Sequence, residues 1–163
     1  MTSKNPSLAQ MILMILIAFS IQILSSIFFN SFFWPNFPIL LVLHYCLNLK
    51  GPRAISIRFG FIVGLGLDIY GSNILGQNAL ALSILSYIAI NQYLQIKTKS
   101  LLQQSIFVLF LLILNETVLY LIDGWTRQPT GGIERWLYIP PSILLWSFTV
   151  MWLDHSPYKK TLV

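Results

Sequence analysis

The first long apolar run, residues 8–29, carries no charged side chain. That feature constrains the fold more than any other. Wound as a helix at about 1.5 Å per residue, a run of this length reaches across a hydrocarbon core of roughly 30 Å. Comparable runs recur at about residues 37–49, 55–70, 79–94, 101–122 and 137–153, each bounded by polar or helix-breaking residues. Charged residues make up 9% of the chain and hydrophobic ones 56%, whereas a soluble domain carries roughly a quarter charged residues. The hydrated surface of a soluble globule cannot be built from so few charges. The expected fold class is therefore an all-α integral membrane protein, a bundle of six transmembrane helices forming a single transmembrane domain over residues 1–163.

The breaks between the runs are chemically explicit. Met1 to Gln10 supplies one Lys ahead of a run that is longer than a signal-peptide core and lacks a small-residue cleavage site, so it is expected to stay as an anchor. Ser20, Gln22, Ser25 and Ser26 interrupt the first run and are expected to face other helices. In Trp34-Pro35-Asn36-Phe37-Pro38, Asn36 can cap a second helix whose first turn holds Pro38. Lys50-Gly51-Pro52-Arg53 ends that helix, Gly71-Ser72-Asn73 ends the third and Lys97-Thr98-Lys99 the fourth. Residues 123–136 form the longest polar stretch, with Gly124, Pro129, Gly131 and Gly132, and read as a loop before a sixth span whose first turn tolerates Pro140 and Pro141.

Short-loop cations orient such a bundle, because the cytoplasmic side carries the excess of Lys and Arg. Lys4, Lys50, Arg53, Arg58, Lys97, Lys99, Lys159 and Lys160 fall on one side, and only Arg127 and Arg135 on the other. Both termini are therefore expected in the cytoplasm and residues 123–136 outside, with Trp34, Trp125, Trp136 and Tyr138 in an aromatic belt at the outer interface. The net charge of +5 arises from these scattered topology signals rather than from a basic stripe, so no nucleic-acid partner is expected. Cys46 is the single cysteine and supplies neither a disulfide framework nor a metal cluster.

Two carboxylates lie within the runs, where an ionisable group costs at least about 2.5 kcal/mol and is a functional candidate by default. Asp68, near the outer end of the third run, reads either as a helix-end residue bonded to the turn at 71–78 or as a partner contact. Glu116 sits deeper, beside Asn115, with no cation in its own run; it reads either as a bond between helices or as a partner-binding group. A proton relay is disfavoured, since no chain of carboxylates or histidines continues it. Gly60 and Gly64, extended by Gly66, form a small-xxx-small pair that lets two helix backbones approach closely, whether inside the bundle or with a partner's helix.

His44 and Cys46 are two positions apart on different helix faces, so a shared metal is not expected, and His155 stands alone. Gly64-Leu65-Gly66-Leu67-Asp68 resembles the glycine-aspartate motif of intramembrane aspartyl proteases. One residue intervenes between the second glycine and the acid, however, and no span offers the second aspartate of a shared-proton dyad. Without a phosphate-cradling loop, a nucleophile elbow or a zinc signature, the chain reads as no enzyme, with no cofactor and no metal.

Two local patterns carry a resemblance. Trp34-Pro35-Asn36-Phe37-Pro38-Ile39-Leu40-Leu41 is similar to the Arg-Pro-Asn-aromatic segment opening the second helix of the bacterial rod shape-determining MreD family, with Trp34 in place of the arginine. Gly60-Phe61-Ile62-Val63-Gly64-Leu65-Gly66-Leu67-Asp68-Ile69-Tyr70-Gly71, followed by Leu75-Gly76 and Ala79-Leu80, resembles that family's glycine-rich third helix and outer turn. The resemblance implies a non-catalytic inner-membrane component of the cell-elongation machinery that maintains rod shape. Its implied partners are the single-span MreC and, through it, MreB, a SEDS-type glycosyltransferase and a class B transpeptidase. Asn36, Gly60, Gly64, Asp68 and Glu116 are the candidate partner-binding residues. It also implies a fold similar to the six-helix substrate-binding subunits of energy-coupling-factor vitamin transporters. That supplies the alternative function, capture of a small molecule, with Glu116, Asn115, Asp68 and Gln77 as the available pocket lining. Against it, the first run offers only Ala9 and Ala18 where those subunits carry an alanine-x-x-x-alanine pattern.

Overall fold

Uninterrupted apolar sequence satisfies its backbone most locally by helix formation, and the apolar runs do so among the described residues. The computed structural model describes residues 8–28, 34–48, 53–71, 74–127, 129 and 132–154. Among them the order is α1 (Leu8–Phe28), α2 (Phe37–Asn48), α3 (Arg53–Gly71), α4 (Gln77–Lys97), α5 (Leu101–Thr126), a short 3₁₀ helix (Ile133–Trp136) and α6 (Ile139–Asp154). Lys4, Lys50, Lys159, Lys160, His155, Gly131 and the Ser72-Asn73 turn lie outside the described residues, as do the side chains of Arg53 and Lys97.

Two segments, Gln77–Ile96 and Leu101–Thr126, are long and apolar enough to cross a membrane. α2, with 12 residues, rises only about 18 Å. α5 continues past residue 122, where the polar loop was expected to begin, and ends at Thr126 with Arg127 in the left-handed conformation at φ 56°. Asp123 thus belongs to the helix rather than to the loop, and the expected loop also winds part of its length into the 3₁₀ helix.

The core lies where α2, α3, α4 and α5 meet. Val42 and Leu43 of α2, Val63 of α3, Leu82 and Leu85 of α4, and Val108, Leu111 and Leu112 of α5 are all fully buried there. α4 is the central helix, packed most extensively on α3 and also on α2 and α5. Tyr45 of α2 and Phe59 of α3 add a tilted ring contact at 4.7 Å. α1 lies at the edge, mainly against α2. The outward faces are strongly apolar: Leu94, Ile69 and Phe28 are 76%, 74% and 72% exposed, and a soluble monomer rarely exposes large apolar patches of this kind.

Candidate functional site

At one end of the bundle a chain of polar contacts touches every helix. It begins where Gln22 of α1 accepts the Phe37 N–H at 3.1 Å, tying α1 to the start of α2. Asn36 caps α2: its Oδ1 accepts the Ile39 N–H at 3.4 Å and its carbonyl accepts the Leu40 N–H at 3.1 Å. The Asn36 N–H in turn donates to Ser142 Oγ of α6 at 3.4 Å. The Ser142 hydroxyl donates to the Tyr138 carbonyl at 2.7 Å, and the Tyr138 hydroxyl donates to Glu116 Oε1 of α5 at 2.8 Å.

Glu116 then meets a cation supplied from outside its helix. Arg135, on the 3₁₀ helix, donates from Nε to Glu116 Oε2 at 3.0 Å and from Nη1 to Asp123 Oδ2 at 2.7 Å. The other oxygen of Asp123 accepts from the Gln77 side chain of α4. One guanidinium therefore spans two nearly buried carboxylates seven positions apart on α5, two helical turns. Burial alone would lower the Arg135 pKa, but Asp123 and Glu116, as acceptors and as charges, raise it above the ordinary guanidinium value. Asn115, fully buried beside Glu116 on α5, has no hydrogen-bond partner for either side-chain amide atom among the described residues.

Asp68 completes the chain through α4. Gly76, at φ 99°, precedes the helix and has no side chain to cap it. Asp68 of α3 acts in its place, accepting the N–H groups of Gly76 and Asn78 at 2.8 Å each and of Ala79 at 3.4 Å, with the Asn78 side-chain amide at 2.9 Å. A carboxylate here satisfies N–H groups that a helix start leaves without intrahelical partners and faces the positive end of its dipole. The starts of α2, α4 and α6 thus gather with the later turns of α1, α3 and α5, so successive helices alternate in direction. Toward the opposite end, Ser105 of α5 and Ser147 of α6 meet at 3.0 Å.

The glycines prepare the same seam. A Cβ at Gly64 would stand 2.6 Å from the Ala79 nitrogen and 2.7 Å from the Asn78 carbonyl carbon. Gly64 and Asp68, one turn apart on α3, therefore address the same first turn of α4. One turn lower, a Cβ at Gly60 would collide with Ser86 Oγ and stand 3.0 Å from the Leu82 carbonyl. The neighbour of the glycine stripe is thus an internal helix. Asn36, Gly60, Gly64, Asp68 and Glu116 are engaged within the bundle, and Asn36 and Glu116 are linked through the turn at 138–142. Residue reasoning missed Arg135 as the partner of Glu116, and Asp123 as the second carboxylate on the same guanidinium. The available signal was simple: a carboxylate deep in an apolar run needs a cation, and only Arg127 and Arg135 follow in the polar stretch after that run.

These features define a class of protein, an all-helical bundle with two helices long and apolar enough to cross a membrane and with its buried polar groups joining helix to helix. The sequence profile of the rod shape-determining protein MreD matches residues 4–153, and the chain belongs to that family. The curated rod shape-determining protein MreD of Haemophilus influenzae is 30% identical to it over 89 residues, covering 55% of this chain and 54% of that protein. The match thus spans about half the length of that relative. No solved structure matches the chain.

Proposed function

We propose that this protein is a non-catalytic scaffold of the cell-elongation machinery in the bacterial inner membrane, crossing it six times with both termini in the cytoplasm. In this reading residues 1–163 form one transmembrane domain that holds MreC. Through MreC it holds MreB, a SEDS-type glycosyltransferase and a class B transpeptidase. The observation that carries the reading is the family match over residues 4–153. Support for the topology comes from the alternating helix directions, the apolar outward faces and the gathering of buried polar groups at the end where α4 begins, opposite its Lys97–Lys99 end.

Within this reading Asn36, Gly60, Gly64, Asp68 and Glu116 serve partner association indirectly, by fixing the helices whose outward faces the partner meets. The transporter reading asks for polar groups converging on an open pocket. Asp68, Gln77 and Glu116 instead spend their hydrogen bonds on backbone, Asp123, Arg135 and Tyr138.

A pull-down of the tagged protein from native membranes in mild detergent, read by mass spectrometry, tests the function. Recovery of MreC with wall synthases is expected; recovery of a transporter's ATPases and coupling subunit would overturn it. Alkaline phosphatase fused after Val163 should be inactive, and an active fusion would remove the cytoplasmic C-terminus.

A further inference from the structure

The outward faces of the bundle differ in apolar depth. The exposed stripe of α3 reads Arg58, Phe61, Ile62 and Ile69, and that of α4 reads Leu80, Ile84, Tyr87 and then Asn91. We propose that this α3–α4 face meets a locally thinned bilayer, whose cytoplasmic leaflet dips so that lipid phosphates reach the Arg58 guanidinium, an inference that rests on the membrane-embedded reading above.

Arg58 is exposed and pairs with no carboxylate among the described residues. Gly64 lies against Ala79; counted down from that contact, Arg58 stands level with about residue 85, near the middle of α4. A helical side chain leans toward its own N-terminus, here the cytoplasmic end, so the stem carries the guanidinium toward the level of Asn91. The α4 face turns polar at that level too, with Asn91 and Gln95 exposed and Gln92 partly so. From Arg58 to Gly71 α3 rises about 20 Å, and from Gln77 to Asn91 α4 rises about 21 Å. An undisturbed hydrocarbon core measures roughly 30 Å. α5 matches it, since its exposed apolar stripe runs from Leu102 to Leu121, about 28 Å, with no exposed charge along it.

Charge and common depth select the lipid surface. A carboxylate on a partner's helix would answer Arg58 at one point and leave α4 free to stay apolar. A water boundary at that depth acts on both helices, and both change character there. An arginine in hydrocarbon draws headgroups and water in toward it, and a short apolar segment thins the bilayer around it.

The Gln77–Asp123 bond fixes the register of α4 on α5. Leu94 and Ile106 therefore stand at one depth, as do Leu80 and Tyr120 nearer the polar end, and all four are exposed. Full-length protein carrying Cys46→Ala and one of Leu94→Cys, Ile106→Cys, Leu80→Cys or Tyr120→Cys is spin-labelled and reconstituted into dioleoyl phosphatidylcholine vesicles. Cys46 is buried and can stay in place should its replacement lower the folded yield. Collision of each label with a water-soluble nickel chelate is compared with its collision with oxygen, which partitions into lipid. We expect a chelate-to-oxygen ratio several-fold higher at position 94 than at 106, with positions 80 and 120 equal. Arg58→Leu, or Arg58→Gln should the first fold poorly, should bring position 94 down toward 106. Equal ratios at 94 and 106, or a difference that neither Arg58 variant reduces, overturns the proposal. An opposite difference at 80 and 120 marks a tilted bundle in a flat bilayer and overturns it as well. Those results leave the membrane reading standing, whereas water-like ratios at all four positions remove both.

Discussion

α3 and α1 are apolar helices of nearly equal length, 19 and 21 residues, yet the bundle holds them in opposite ways. α3 lies against α4 along glycines that admit no Cβ, and Asp68 ends the seam by capping its neighbour. α1 is greasier, but it buries little beyond Ala18 and Ser25, places the Phe19 ring over Gly66, and leaves a cleft beside α2 and α6. Apolarity does not set how firmly a helix is held, because lipid tails are as apolar as Leu; close approach and interhelical hydrogen bonds do.

Gly64→Leu should break the contrast most severely. Its new side chain has backbone to displace, so we expect a loss above about 3 kcal/mol, seen as collapse of folded yield and melting temperature in detergent. Wild-type melting would show that the glycine seam is not what holds α3.

Asp68→Ala comes next, removing the acceptor of three N–H groups and one side-chain amide at an expected cost of about 2–4 kcal/mol. Hydrogen exchange should rise at residues 76–79 ahead of the rest of α4. Uniform protection would argue against capping from α3.

For Arg135→Gln we expect about 1–3 kcal/mol, below the 3–5 typical of a broken buried pair, because the guanidinium keeps 21% of its surface exposed. Adding Glu116→Gln should recover part of the loss, and strict additivity in this double-mutant cycle would remove the coupling. At the bottom of the scale, Leu24→Ala on the 59% exposed face of α1 should change stability by no more than about 0.5 kcal/mol. A large loss there would erase the distinction between the two helices.

Helix positions were legible because apolar runs and Gly, Pro or Lys breaks are local signals. The helices start and stop within about a turn of the expected bounds. Close packing at Gly60 and Gly64 was legible too, but not its partner, since the same stripe serves an internal or an external helix. The capping by Asn36 followed from its place before Pro38. What escaped was the ionic contact, for a physical reason: Asp123-Gly124 reads locally as a helix end. Only Arg135 and Gln77, arriving from other elements, make it favourable for α5 to carry that acid another turn.

Asp68 also bears on how the chain is made. It is the sole acid of α3, and its donors lie eight to eleven residues downstream, in a segment synthesised later. On the proposed topology α3 cannot settle into lipid alone without stranding a carboxylate, at about 2.5–3.5 kcal/mol on insertion scales. α4 is both the apolar segment that draws the pair in and the source of the donors. Biogenesis would then proceed by hairpin, with α3 waiting at the bilayer surface until the first turn of α4 emerges from the ribosome.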